Sequence, residues 1–181
     1  MAEVRTVLPV KYFVAVLFRE EKFLNEGLRL LEEKWGGFDV NGSDHEFDVT
    51  DYYEPEMGKP LYRRLVSFEK LISPVDLVDM KLECNRIEDQ LSSDGRRRVN
   101  LDAGYLDHNK VLLASAKEAG QKIYLDKGIY ADLSGRYRGG RYQPFEWSFP
   151  DFRDGRYDEE LLRMRSRYLE QIKSYRRGQG E

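Results

Sequence analysis

The chain is poor in the residues that build disulfides and structural metal centres. Its 181 residues include one cysteine, Cys84, and two histidines, His45 and His108. A single cysteine excludes an intramolecular disulfide, and these three residues are too few for a structural zinc site, which needs about four ligands. Cys84 falls in the apolar stripe of a predicted helix, so we interpret it as a buried core residue rather than a nucleophile.

Long apolar runs and the common nucleotide-binding motifs are also missing. No apolar run approaches the ~20 residues that a membrane span needs, and residues 1–11 lack the apolar stretch of a signal peptide. These features predict a cytoplasmic protein that makes no membrane contact. The sequence has no glycine-rich phosphate loop, no dinucleotide fingerprint after the first strand and no Gly-x-Ser-x-Gly elbow.

Charge is abundant and nearly balanced. Thirty lysines and arginines oppose 33 aspartates and glutamates, which gives a net charge of -3. This balance disfavours a globally basic nucleic-acid binder but leaves room for a local basic patch. Aromatic residues make up 13% of the chain, which argues for a packed core rather than disorder. We expect one α+β domain over residues 1–175 and a flexible tail over residues 176–181.

Apolar periodicity predicts alternating strands and helices along the chain. A continuous apolar run predicts a buried strand over 10–18, and leucines at helical spacing predict a helix over 20–35. Ser73 and Asp76 form the capping box of a second helix, Pro74 occupies its first position, and Asp94-Gly95 ends it. Segment 111–116 fits either a helix or a strand. Further strands are predicted at 47–49, 61–71, 97–102, 122–125, 128–138 and 141–145, and a last helix at 157–175.

This order of elements predicts an α+β fold. The succession β-α-β-β-α-β is compatible with a ferredoxin-like core, in which a mainly antiparallel sheet has helices packed on one face. A C-terminal hairpin and helix follow that core. A doubly wound parallel sheet is the weaker alternative, because no helices intervene between the later strands.

Acidic residues concentrate between residues 39 and 56. No lysine or arginine lies between Lys34 and Lys59 to neutralise them. Asp48 and Asp51 are therefore candidate ligands for a divalent metal ion, which prefers oxygen ligands. A solvated acidic loop is the alternative interpretation. The sequence assigns no cofactor.

Polar side chains concentrate between residues 98 and 132. Strand alternation places Arg98, Asn100 and Asp102 on one face, and Tyr130 and Asp132 on one face of a later strand. If these strands are neighbours, the side chains would form a cleft that binds a phosphate- or hydroxyl-rich ligand or transfers protons. A solvated face with cross-strand ion pairs is the alternative. The candidate ligand-binding residues are Arg98, Asn100, Asp102, Tyr105, Lys117, Tyr124, Lys127, Tyr130 and Asp132.

A Gly-Gly hairpin near the C-terminus alternates arginine with tyrosine. Arg136, Arg138 and Arg141 interleave with Tyr137 and Tyr142. Arginines and aromatic rings on a sheet can bind single-stranded nucleic acid through phosphate contacts and base stacking. Edge protection by arginine and the strand propensity of tyrosine explain the same pattern.

Four segments of the chain match motifs of one known family. They are Phe47-Asp48-Val49-Thr50-Asp51-Tyr52-Tyr53 with Glu56-Met57-Gly58, Arg98-Val99-Asn100-Leu101-Asp102-Ala103-Gly104-Tyr105-Leu106, Ile123-Tyr124-Leu125-Asp126-Lys127-Gly128-Ile129-Tyr130-Ala131 and Trp147-Ser148-Phe149-Pro150-Asp151-Phe152-Arg153. They resemble a bacterial family catalogued as domain of unknown function number 4416. The resemblance covers nearly the whole chain and implies a stand-alone cytoplasmic protein, without catalytic residues to transfer. Some members bear a GTP-binding label, whereas this chain lacks a phosphate loop.

Three functional hypotheses remain open at this point. The first is a protein that binds a small anionic or nucleotide-like ligand on the polar sheet face. The second is an enzyme that uses the same residues, with a divalent metal as an option. The third is an RNA- or protein-interaction module that uses the Arg/Tyr hairpin. We rank ligand binding first, because the polar residues between 98 and 132 are the most concentrated chemical signal.

Overall fold

The computed structural model describes residue 3 and residues 6–178. Its longer helices are α1 (Glu21–Trp35), α3 (Leu77–Leu91) and α5 (Asp158–Gly178), and its short ones are α2 (Glu54–Met57) and α4 (Pro150–Arg153). The strands are β1 (Val10–Phe18), β2 (Phe38–Asn41), β3 (His45–Glu46), β4 (Tyr62–Ile72), β5 (Val99–Leu106), β6 (Lys110–Ser115), β7 (Ile123–Asp126), β8 (Ile129–Arg138) and β9 (Arg141–Pro144).

All nine strands join one antiparallel sheet. Its order is β2-β4-β1-β5-β6-β8-β7, with β3 added to β4 and β9 added to β8. Every residue of β1 is buried, as the continuous apolar run at its position predicts. The predicted α+β class with a mainly antiparallel sheet is therefore confirmed.

Helices cover both faces of this sheet. α1 and α3 pack on the face that carries Tyr12, Val14 and Val16 of β1. α5 packs on the opposite face, against Phe13 and Ala15. The prediction of helices on one face describes α1 and α3, whereas α5 departs from it. The reason is that β1 is apolar on both sides, so each side needs a cover.

The elements β1, α1, β2, β4, α3 and β5 have the predicted β-α-β-β-α-β order, with β3 and α2 inserted before β4, but the second strand is β2 rather than the predicted segment 47–49. The ferredoxin-like core itself stays a prediction. Segment 111–116 belongs to strand β6 rather than to a helix. The predicted strand at 47–49 is wrong, because β3 ends at Glu46. The Phe47 N–H still donates to the Leu61 carbonyl at 2.8 Å, but its side chain packs in a small apolar cluster with Tyr53 and Met57.

Local signals at the element ends are also present. Ser73 and Asp76 form the predicted capping box, in which the Ser73 backbone N–H donates to Asp76 Oδ2 at 3.2 Å. Residues 176–178 of the predicted tail continue α5, and residues 179–181 lie outside the described part. Within the described residues, no helix combines the length and the apolar character that crossing a membrane requires.

Candidate ligand-binding site

Strands β5 and β6 pair along only part of their length. The register joins Gly104–Leu106 to Val111–Leu113. On the N-terminal side of Gly104, β5 is no longer paired with β6. In the separated half, the backbone of Leu101 bonds to side chains of α3 instead of to a strand. The Leu101 N–H donates to Glu88 Oε1 at 2.7 Å, and Lys81 Nζ donates to the Leu101 carbonyl at 2.9 Å. These buried charged groups satisfy backbone atoms that would otherwise lack a partner.

A polar cavity of about 210 Å³ opens where the two strands separate. β5, β6 and β8 supply its walls, α3 closes one side, and aromatic residues before α2 and α4 border it. We call it the polar cleft. Its lining residues are Tyr52, Tyr53, Lys81, Asn85, Glu88, Arg97, Asn100, Asp102, Leu113, Ala114, Ser115, Ala116, Lys117, Lys122, Asp132 and Phe149.

A buried arginine anchors one side of the cleft. Arg63 of β4 is 1% exposed and donates to Asp151 Oδ2 at 2.5 Å and to Asp102 Oδ2 at 3.1 Å. The Tyr157 hydroxyl also donates to Asp151 Oδ2, at 2.8 Å. The guanidinium lies 4.6 Å from the centre of the Phe47 ring. This network holds the Asp102 carboxylate in place at the cleft wall.

Two buried polar atoms of the cleft residues lack a hydrogen-bond partner among the described residues. They are Asn100 Nδ2 and Asp132 Oδ1, on residues that are 4% and 6% exposed. The second atom of each side chain is engaged, because Arg97 donates to Asn100 Oδ1 and Lys122 lies 3.6 Å from Asp132 Oδ2. Buried polar groups are nearly always satisfied, so these two are suited to contact a ligand.

Two carboxyl groups of the cleft have altered proton affinity. Burial raises the pKa of Asp132, and the charge of Lys122 opposes this shift in part. Burial also raises the pKa of Glu88, which Lys81 and the Leu101 N–H oppose. Such shifts concentrate at functional sites, although structural ion pairs also produce them. Glu88 has a structural role, because its carboxylate accepts the hydrogen bond from the Leu101 backbone N–H.

A lysine and a tyrosine meet at the mouth of the cleft. Lys117 Nζ donates to the Tyr52 hydroxyl at 2.7 Å, and this bond lowers the pKa of Tyr52. Lys81, Arg97 and Lys122 each have a carboxylate within 4 Å. Within the described part of the chain, Lys117 has none. Lys117 is therefore the lining cation best placed to pair with an anionic ligand.

The structure brings four of the nine predicted site residues together. Asn100, Asp102, Lys117 and Asp132 all line the polar cleft. The pairing of β6 with β8 sets Asp132 directly opposite Leu113, and the pairing of β5 with β6 sets Leu113 opposite Gly104. Because paired residues project to the same side, β5 and β8 present these groups on one face.

The other five predicted residues lie elsewhere. Tyr105 and Lys127 line a second, more apolar cavity of about 370 Å³ near the start of α3. Arg98 donates to a serine hydroxyl in the turn after α3. Tyr124 and Tyr130 pack against each other, with ring centres 5.4 Å apart. These five residues do not contribute to the polar cleft.

Sequence reasoning missed Arg63, Lys81 and Glu88. Lys81 and Glu88 occupy positions of the buried face of α3 that apolar residues usually fill, since they lie four and three residues from Leu77 and Leu91. A charged residue within an apolar helical stripe is the signal that could have identified them. Arg63 gives a similar signal, since it lies two residues from Leu61 and Leu65 and therefore shares their buried side of the chain.

The metal candidates are engaged with basic residues from other segments. Asp48 Oδ1 accepts from Arg156 Nη2 at 3.0 Å, and Asp51 Oδ1 lies 3.5 Å from Lys59 Nζ. Residues 3 and 6–178 contain no cluster of three or more His, Cys, Asp or Glu side chains suited to a metal ion. Tertiary contacts therefore supply the cations that the sequence of this segment lacks.

The Arg/Tyr hairpin separates its two residue types. Tyr142 is buried in the cluster beneath α5, and Tyr137 packs against it with ring centres 5.3 Å apart. The Arg165 guanidinium lies over the Tyr137 ring, 3.5 Å from its centre. Arg136 and Arg138 are exposed on the other side. The structure does not support base stacking on these two tyrosines.

The comparisons with known proteins agree with the resemblance noted in the sequence. The profile of a family described as "Domain of unknown function (DUF4416)" matches residues 8–168, which is most of the chain. Neither the curated proteins nor the solved structures provided a significant match. The matched range includes all the strands and all the residues of the polar cleft. The chain therefore belongs to the DUF4416 family.

Proposed function

We propose that this protein binds a small anionic molecule in the polar cleft. The observation that carries the proposal is that Lys117, Asn100 and Asp132 line one cavity. Among the described residues, Asn100 Nδ2 and Asp132 Oδ1 have no hydrogen-bond partner, and Lys117 has no carboxylate within 4 Å. Lys117 would pair with the anionic group, Asn100 Nδ2 would donate to a ligand oxygen, and Asp132 Oδ1 would accept from a hydroxyl or amino group.

The size of the cleft narrows the class of ligand. Its volume of about 210 Å³ is below the 300–1,000 Å³ that is usual for drug-sized ligands. This volume supports a hydroxy acid, an amino acid or a sugar phosphate rather than an enclosed nucleotide. A nucleotide would extend through the mouth, where Tyr52 and Phe149 are exposed aromatic rings.

Thermal unfolding in the presence of candidate ligands tests this proposal. We expect at least one of inorganic phosphate, hydroxy acids, amino acids, sugar phosphates and nucleotides to raise the melting temperature at millimolar concentration, since a native-state ligand stabilises the fold. Lys117→Ala should reduce the shift, whereas the exposed Lys173→Ala serves as a control that keeps it. Absence of any shift, or an equal shift in Lys117→Ala, would contradict the proposal.

Proton transfer to the bound ligand is the second candidate function. The raised pKa of Asp132 and its unpartnered Oδ1 favour this role for its carboxyl group. A compound that stabilises the protein can be incubated with it and followed by proton NMR. We expect conversion that Asp132→Asn abolishes while ligand binding remains. An unchanged spectrum with the wild-type protein would leave the protein as a binding protein.

A cytoplasmic location is part of the proposal. It is supported by the free buried thiol of Cys84, because unpaired cysteines are typical of a reducing compartment. Fractionation of cells with an antibody against the protein tests it. Recovery in the membrane or extracytoplasmic fraction would contradict this location.

A further inference from the structure

One face of the sheet carries four basic side chains from three adjacent strands. Lys110 of β6 lies directly opposite Arg136 of β8, and Arg138 of β8 lies directly opposite Arg141 of β9. Directly paired residues share a face, as do residues two apart along a strand. The Cβ atoms of all four residues therefore point to the side away from α5, although the long Arg141 side chain reaches back until its Nη1 lies 3.7 Å from Asp158 Oδ2 of α5. We call these four residues the basic face.

The basic face is electrostatically unfavourable in the isolated protein. Both cross-strand pairs, Lys110 with Arg136 and Arg138 with Arg141, are like-charge pairs, which destabilise a sheet. Lys110 has Asp107 as a partner, and Arg141 Nη1 lies 3.7 Å from an aspartate of α5. Arg136 and Arg138 have no carboxylate within 4 Å in the described part of the chain. The face thus keeps an uncompensated positive charge.

Protection of a sheet edge does not explain all of these residues. Arg141 lies on β9, an edge strand that also ends in Pro144, and both residues are typical of protected edges. Arg136 differs, because β8 is paired on both sides at its position, with Lys110 of β6 and Gln143 of β9. An arginine in the interior of a sheet has no free strand edge to protect.

We propose that the basic face binds the phosphate backbone of double-stranded nucleic acid. Three of its four residues are arginines, whose planar guanidinium groups donate two parallel hydrogen bonds to one phosphate. The fourth residue, Lys110, contributes a further positive charge next to Arg136. Neutralisation of phosphates by such groups supplies most of the sequence-independent affinity for nucleic acid.

The surroundings of the basic face favour a duplex over other polyanions. Single strands are usually held by stacking bases on aromatic rings, but Tyr137 and Tyr142 of this hairpin project to the opposite face. Membrane surfaces are usually held by basic residues together with inserted apolar side chains. Among the described residues, none of the exposed large apolar side chains lies on β8, β9 or their Gly139–Gly140 turn.

Fluorescence anisotropy with a labelled DNA or RNA duplex tests the proposal. At about 50 mM salt we expect the wild-type protein to bind the duplex, with a log–log salt slope of about -3.6 for DNA if four phosphates are contacted. The variant R136E/R138E/R141E should lose at least about tenfold in affinity and most of this slope. The matched control K22E/R29E/K34E changes exposed residues of α1 and the net charge by the same amount, and it should retain the slope.

Folding of the variants can be verified separately. Arg136→Glu would create an opposite-charge pair with Lys110, so we expect an unchanged or higher melting temperature. If the triple variant fails to fold, the double variant R136Q/R138Q provides the same comparison of duplex binding. These measurements do not involve the polar cleft, so the two proposals can fail independently.

Three results would overturn the proposal. The first is equal duplex binding by the wild-type protein and the arginine variant. The second is tighter binding of a single strand of the same sequence than of the duplex. The third is the absence of duplex binding at low salt, including the case in which the wild-type protein co-sediments with phosphatidylserine vesicles instead.

Discussion

The two halves of strand β5 show how differently one strand can be used. In the paired half, Gly104 lies so close to its neighbours that an added Cβ would be 2.6 Å from the Leu112 carbonyl oxygen and 2.7 Å from Phe13. In the separated half, Leu101 bonds to Lys81 and Glu88. Close strand pairing excludes ligands, whereas loss of pairing admits charged side chains to the interior and leaves a cavity.

The largest expected effect concerns the buried arginine beside the separated half. We expect Arg63→Ala to lower the free energy of unfolding by about 3–5 kcal/mol, because it leaves the buried carboxylate of Asp151 and the partly buried carboxylate of Asp102 without their cation. Urea denaturation measures this change. The adjacent Arg64→Ala removes a more exposed ion pair with Asp44 and should cost about 0–1 kcal/mol. Similar losses in the two variants would contradict the anchoring role of Arg63.

An intermediate effect concerns Lys81 and Glu88, which bond to the Leu101 backbone where β5 has no neighbouring β6 strand. We expect Lys81→Met to lower the free energy of unfolding by about 1–3 kcal/mol, since the Leu101 carbonyl loses its donor and Glu88 keeps only Arg97 of its two neighbouring cations. Arg86→Met on the exposed side of the same helix is the control and should have little effect. If both variants unfold at the same urea concentration, the hydrogen bond from Lys81 to the Leu101 carbonyl does not stabilise the unpaired half of β5.

The smallest expected effect is a change in the pH dependence of stability when Asp132, on the opposite wall of the cleft, is replaced. Burial raises the pKa of Asp132, so the native protein binds more protons than the unfolded chain above about pH 4, and stability falls as the pH rises through the native pKa. Asp132→Asn does not titrate. We expect its stability relative to wild type to increase from acidic to neutral pH.

Urea denaturation across this pH range measures the difference between wild type and Asp132→Asn. The exposed Asp126→Asn on β7 is the control. A constant difference between Asp132→Asn and wild type at every pH would show that burial does not shift the pKa of Asp132. The Arg63→Ala and Lys81→Met variants would then be the remaining tests of the difference between the two halves of β5.

Part of the polar cleft could be predicted from the sequence. Strand alternation identified Asn100, Asp102 and Asp132, because the side to which a residue points within one strand is a local property. It also selected Arg98, which does not line the cleft and instead donates to a serine hydroxyl in the turn after α3. Which of these residues share a cavity depends on the strand pairing of β5, β6 and β8, and this pairing brings residues distant in sequence together.

The sequence by itself determined the elements whose signals are local. The apolar run of β1, the leucine spacing of α1 and the capping box of α3 act within a few residues of one another. Only the tertiary structure decided that β5 and β6 separate and that α5 covers the second face of the sheet. The physical reason is that pairing of strands and burial of charge depend on partners from distant segments, such as Lys81, Glu88 and Arg63, and no local pattern specifies these partners.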